Sequence, residues 1–242
     1  MDSRITIGDK LELKKIETES QENPSRKAPI YISQVLDESQ NGEYLVSMPL
    51  SEGKVIPLGV GQEFNAIFYS KKGLLQCQVE VTDRFRQEEL FLMKLTPKTI
   101  LEKIQRREYF RLPCHQPLKY HVLSDTEQKQ LEEQQECDID EVTAEWRRAT
   151  MLDLSGGGIW VVSSMQEKRN SIVQVSFEIT INNKKERIYA FAILLRSERN
   201  QNSQTEYDHH LMFWNMEQKI REKIIRFIFD EQRKNRAKGI EF

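Results

Sequence analysis

Between Leu75 and Thr82 the chain alternates without a break: Leu75, Cys77, Val79 and Val81 are apolar, whereas Gln76, Gln78, Glu80 and Thr82 are polar. Successive side chains of a β-strand point to opposite faces, so a period of two buries one face and wets the other. The same alternation returns at Val173, Val175, Phe177 and Ile179, set against Gln174, Ser176, Glu178 and Thr180, and it opens the chain at Ile5, Ile7, Leu11 and Leu13. A chain patterned in this way is expected to be mainly β.

Further apolar runs over 30–36, 55–58, 64–69 and 90–95 are separated by turn-forming residues, among them Asn41-Gly42 and Lys71-Lys72-Gly73. Asn-Gly between two apolar runs predicts a type I′ hairpin, because both residues tolerate positive φ. Five or six short strands of this kind predict a small barrel. Pro97 ends the last of them, and 98–104 reads as a domain junction. Beyond it, strands are expected over 118–122, 149–152, 158–163, 173–180, 187–196 and 209–214, with a turn at Asn182-Asn183. His209 and His210 fall on opposite faces of the last strand and so do not share a metal. Ile220, Ile224, Phe227 and Ile228 form a helical stripe, preceded by Asn215 and Gln218 in capping-box spacing and followed by Gly239 as a stop.

At 242 residues with 38% apolar content, the chain can bury two small cores. Its net charge of −2 conceals nine acidic residues and one lysine between 124 and 146, a stretch without apolar period that reads as a solvated loop or frayed helix. The remainder is mildly basic, which suits a small anionic ligand better than a long nucleic acid. Cys77, Cys114 and Cys137 share no CxxC spacing, so neither a disulfide framework nor a zinc site is expected. Met1 to Lys10 carry no apolar signal core, and no apolar run approaches 18 residues, so a soluble cytoplasmic protein is expected.

Two stretches carry chemistry. Gln105-Arg106-Arg107-Glu108-Tyr109-Phe110-Arg111 places three guanidinium groups within six residues, and these can fork onto phosphate or guanine oxygens and stack on base faces. Asp153-Leu154-Ser155-Gly156-Gly157-Gly158 places a carboxylate and a hydroxyl at a strand end that runs into a glycine turn, where backbone N–H groups can approach a ligand. Ser155 has no histidine at motif-like spacing and the glycines are not followed by a P-loop lysine, so no catalytic constellation is expected.

Arg106, Arg107 and Arg111 followed by Asp153, Ser155 and Gly158 resemble the Arg-Arg-x-x-x-Arg and Asp-x-Ser-x-x-Gly motifs of PilZ domains, which bind the bacterial second messenger cyclic di-GMP. The β-rich segment before them resembles the amino-terminal domain of the flagellar brake (YcgR-like) subgroup. The resemblance implies two small β-barrel domains in tandem: a split-barrel-like domain over 1–97, a linker over 98–104, and a six-stranded PilZ barrel with a carboxy-terminal α-helix over 105–242. It implies a non-enzymatic receptor that needs no cofactor and contacts cyclic di-GMP through Arg106, Arg107, Arg111, Asp153, Ser155, Gly157 and Gly158. Gln105, Arg148 and Arg196 are further candidates. An arginine at position 106 is associated in such proteins with two mutually intercalated ligand molecules per protomer. The implied output is control of motility through a flagellar stator or rotor protein at the basal body, without membrane insertion. Regulation of exopolysaccharide synthesis, and single-stranded nucleic-acid binding with Tyr109 and Phe110 as stacking platforms, remain the alternatives.

Overall fold

The computed structural model describes residues 4–16, 29–51, 53–134 and 144–239. The chain divides into two compact units, Met1–Arg106 and Arg107–Phe242.

In the first unit the strands are β1 (Lys10–Lys15), β2 (Ile30–Glu38), β3 (Tyr44–Ser47), β4 (Leu50–Ser51), β5 (Lys54–Val55), β6 (Glu63–Ser70), β7 (Gly73–Gln87), β8 (Leu90–Pro97) and β9 (Glu102–Ile104). Six of them follow one another as β6-β1-β2-β3-β8-β7, and β7 pairs back to β6 to close the barrel. Alternation places Leu11, Leu13, Phe64, Phe68, Val79 and Val81 inside it. The apolar run over 55–58 yields only the two-residue β5, paired with β4. β9 lies within the segment read as a junction, yet it extends the sheet: Leu74 pairs with Ile104 and Gln76 with Glu102.

The Asn41-Gly42 hairpin is not a type I′ turn. Only Gly42 has positive φ (+78°), and its N–H donates to Ser39 O at 3.0 Å inside a longer connection. The alternation around this turn indicated that a hairpin forms, while loop length selected a different turn geometry. Asn182 and Asn183, by contrast, both adopt positive φ (+51° and +62°) between two paired strands, as a type I′ turn requires.

The second unit contains β10 (Arg111–Val122), α1 (Asp125–Gln134), β11 (Arg147–Ser155), β12 (Gly158–Ser163), β13 (Ile172–Ile181), β14 (Lys184–Arg199), β15 (Tyr207–Phe213) and α2 (Gln218–Ala237). Its strands close in the order β10-β11-β12-β15-β14-β13. Inward side chains such as Met151, Leu154, Val175, Ile179 and Leu194 form one core with Ile224, Phe227 and Ile228 of α2. Full burial of each such aliphatic or aromatic side chain contributes about 1.5–3 kcal/mol, which makes α2 an integral part of this domain. His209 is buried and bonded to Ser163 Oγ at 2.8 Å, whereas His210 on the opposite face is half-buried.

One local expectation is corrected. The expected Asn215 capping box does not form: Asn215 takes positive φ (+48°) in the turn after β15, and α2 starts from Glu217 with no side-chain cap. A real capping box instead opens α1, where Ser124 N–H donates to Glu127 Oε2 at 2.7 Å and Glu127 N–H to Ser124 Oγ at 3.4 Å. Part of the acidic stretch is therefore a capped helix held by buried Leu131, while 135–143 lie outside the described residues.

Candidate functional site

Antiparallel pairing of β10 with β11 sets Arg111 opposite Ser155 and Pro113 opposite Asp153, so two motifs more than forty residues apart become cross-strand neighbours. A register shift between Met151 and Asp153 re-aims the carboxylate, as such bulges do. Arg111 Nη1 stands 4.0 Å from Asp153 Oδ2, a loose ion pair whose guanidinium is half exposed and still able to turn to a ligand. Burial pushes the Asp153 carboxyl above its ordinary range, and Arg111, His210, the Trp160 N–H and Arg107 only partly counter it. An under-compensated carboxylate of this kind is a strong acceptor for paired N–H donors.

The folded domain holds the Asp153 proton more tightly than the unfolded chain does. Its ionised form therefore weighs against folding at neutral pH, and that cost disappears as pH falls below the ordinary carboxylate range. Asp153→Asn is accordingly expected to melt at or above the wild-type temperature at pH 7, with the difference vanishing under acid conditions. A clear drop in melting temperature at pH 7 would contradict this account.

The turn after β11 is self-bonded. Ser155 Oγ accepts from the N–H of Gly157 (3.3 Å) and of Gly158 (3.1 Å) and donates to Gly158 O (3.1 Å). In this geometry Ser155, Gly157 and Gly158 shape the turn, and direct ligand contact through them requires those bonds to open. Gly158 is dictated by packing, because a Cβ there would lie 2.1 Å from the Leu211 carbonyl oxygen of β15. At Gly156 a Cβ would lie 2.4 Å from Cδ1 of Tyr109, whose ring covers the turn. Arg221 of α2 completes this arrangement: Nη1 donates to Gly156 O at 2.5 Å, and the guanidinium lies 5.7 Å from the Tyr109 ring centroid. Tyr109 and Arg221 thus tie the arginine loop to the glycine turn, and no local sequence signal marks Arg221. Phe110 is exposed, while Tyr109 is committed to the turn.

The remaining candidates fall elsewhere. Arg106 belongs to the first unit, where Nη1 donates to Glu12 Oε2 (3.0 Å) and Nη2 to Tyr69 OH (2.5 Å), with the guanidinium 5.3 Å from the Tyr69 ring centroid. Although burial raises the Glu12 carboxyl, the bonds from Tyr69 and Arg106 hold it below its ordinary value. Gln105 and Arg107 lie exposed in the loop before β10. Arg148 pairs with Lys119 five positions before Asp153 on β11, about 17 Å away at the rise of a strand, so it does not join the site. Arg196 sits on β14 opposite His210 and is ion-paired to Glu198.

Neither of the two described cysteines is an activated thiolate. Burial pushes the Cys77 thiol up to about 11 and the Cys114 thiol up to about 12. Among the described residues no cluster of histidine, cysteine and carboxylate side chains could hold a metal ion.

The sequence profile of the PilZ domain matches residues 105–230, and the PilZNR profile, described as flagellar protein YcgR, matches residues 6–97. The fold is similar to the Bacillus subtilis inhibitor of motility MotI/DgrA (TM-score 0.73, 17% identity, 96% of this chain and 100% of that one). It is also similar to Escherichia coli YcgR in complex with cyclic di-GMP (TM-score 0.54, 15% identity, 96% and 87%). No curated protein sequence matches the chain. With one profile spanning more than half of the sequence and the other most of what precedes it, the chain belongs to the PilZ-domain family, as a YcgR-like member.

Proposed function

We propose that this protein is a cyclic di-GMP receptor that restrains flagellar motility through a protein partner and catalyses no reaction. The observation that carries the reading is the pairing of half-exposed Arg111 with the partly desolvated Asp153 beside the glycine turn. Guanidinium forks bond guanine O6 and N7 or phosphate oxygens, and Asp153 accepts from guanine N1–H and N2–H. Each charge-assisted bond contributes on the order of 1.5–3 kcal/mol, enough in sum for micromolar or tighter binding after ordering costs. The likeness to a motility inhibitor and to a YcgR bound to cyclic di-GMP favours this output over exopolysaccharide control. Tyr109, packed on the glycine turn, is a poor open platform for a nucleic-acid strand. No helix among the described residues is long and apolar enough to cross a membrane.

Two intercalated ligand molecules per protomer carry four phosphate charges, which a further guanidinium offsets. Arg106 is that group, and it must first leave Glu12 and Tyr69. Calorimetry with cyclic di-GMP tests both levels of the reading. The expected ratio is two for the wild type, nearer one for Arg106→Leu, and two with tighter binding for Glu12→Gln, which loosens the competing ion pair. A wild-type ratio of one at protein concentrations far above the dissociation constant removes the paired ligand, and absence of binding removes the receptor assignment. Ligand held beside the junction is also expected to narrow the range of interdomain orientations, seen as a changed distance distribution in solution scattering.

A further inference from the structure

One row of side chains runs straight across four neighbouring strands of the second barrel: Asp153 is in register with Trp160, Trp160 with His210, and His210 with Arg196. The Trp160 and His210 rings are stacked, with centroids 5.5 Å apart and planes 20° from parallel. Trp160 is also locked in place, since Nε1 donates to Asp208 Oδ1 at 3.0 Å and Asn200 Nδ2 donates to the same oxygen at 3.2 Å. Beyond the two rings opens a cavity of about 360 Å³, whose further walls include Arg196, Glu198, Arg199, Asn200, Asn202 and Asp208. Both rings remain partly exposed, although the barrel core lies directly beneath them. A packing role alone would be served by burying them. A rigid, half-open aromatic pair beside an under-compensated carboxylate, followed by two guanidinium groups and amides, with Glu198 paired to Arg196 and Asp208 occupied by Trp160 and Asn200, has the composition of a base-stacking nucleotide subsite.

We infer that Trp160 and His210 form a shelf on which a purine base of the ligand stacks, extending the Arg111–Asp153 site across β12 and β15 towards Arg196. The inference rests on the receptor reading above and assigns to it residues that lie outside both motifs. Trp160 supplies fixed aromatic area at little conformational cost, and His210 adds a charge that depends on protonation.

That charge gives the shelf its own signature. Burial holds the His210 pKa below the usual histidine value; Arg196 of β14 and Arg111 of β10 depress it further, against Asp153 of β11 and Asp208 of its own strand. Glu198 of β14 also faces it. A bound phosphodiester anion favours the imidazolium, so the complex takes up a proton. Affinity therefore strengthens as pH falls, and the gain is lost as pH rises through the pKa of the complex.

The test is calorimetric titration with cyclic di-GMP of wild type, Trp160→Leu, Trp160→Phe and His210→Gln at pH 6 and pH 8, with Arg111→Ala as reference and melting curves for each. Trp160→Leu is expected to lose roughly five- to hundredfold in affinity, the range for a lost base–aromatic stack. Trp160→Phe, which keeps a ring and guards against a folding defect in the leucine variant, is expected to retain most of it. Wild type is expected to bind several-fold tighter at pH 6 than at pH 8, and His210→Gln to lose that difference while Asp153 remains in both proteins. Wild-type affinity in folded Trp160→Leu, or an unchanged pH difference in His210→Gln, overturns the shelf. If Arg111→Ala still lowers affinity by about tenfold or more in that case, the receptor reading stands alone. No binding by the wild type overturns both.

Discussion

Arg111→Ala is expected to lower affinity for cyclic di-GMP by about ten- to hundredfold while leaving the fold nearly as stable as before, because lost charge-assisted bonds cost on the order of 1.5–3 kcal/mol. Its guanidinium is 47% exposed and its ion pair with Asp153 spans 4.0 Å, so in the folded protein that contact contributes at most about 0–1 kcal/mol. A ligand oxygen left without its fork in a partly desolvated site has no such relief. The separation between a large binding loss and a small stability change is the mark of a residue held for the ligand. Calorimetry beside a melting curve measures both, and wild-type affinity in this variant would remove the site.

Gly158→Ala is expected to do the opposite damage, unfolding the second domain at a temperature about 10 °C lower. The added Cβ meets backbone, the Leu211 oxygen at 2.1 Å and Met212 Cα at 3.2 Å, at the point where β12 pairs with β15. Backbone in a closed barrel cannot rotate aside, so the cost lies at the upper end of overpacking penalties, about 3 kcal/mol, which in a domain of this size shifts the midpoint by several degrees per kcal/mol. Gly156→Ala provides the contrast. Its Cβ meets the Tyr109 ring at 2.4 Å, a side chain that can swing out, so the melting temperature changes less while the arginine loop loses its anchor and binding falls. Equal melting losses in the two variants would show that Tyr109 is as immobile as the sheet.

Much of this architecture was legible because its signals are local. Strand faces follow from a period of two, and the inward set Val173, Val175, Phe177 and Ile179 is buried as the alternation requires. Asn182-Asn183 makes its turn from two residues that tolerate positive φ, and Ile224, Phe227 and Ile228 need only helical spacing to find the core. The α1 cap was equally local, since Ser124 and Glu127 stand three apart, but the acidic composition around them obscured it.

What tertiary structure alone decided is which distant residues meet. Arg148 and Asp153 share a strand yet stand too far apart for one ligand edge, whereas Arg196 reaches the row of Asp153 through two intervening strands. Register across a closed barrel sets such meetings, and a shift of one residue would turn each side chain to the other face. Arg106 sits beside Arg107 in the sequence but is held by Glu12 and Tyr69, 94 and 37 positions away. Gly158 matches a ligand motif letter for letter, but the close Leu211 carbonyl alone already leaves no room there for a side chain. Sequence spacing determined the strands and the two motifs. Closure of each barrel, through long-range pairing that no local pattern encodes, decided which of their residues became neighbours.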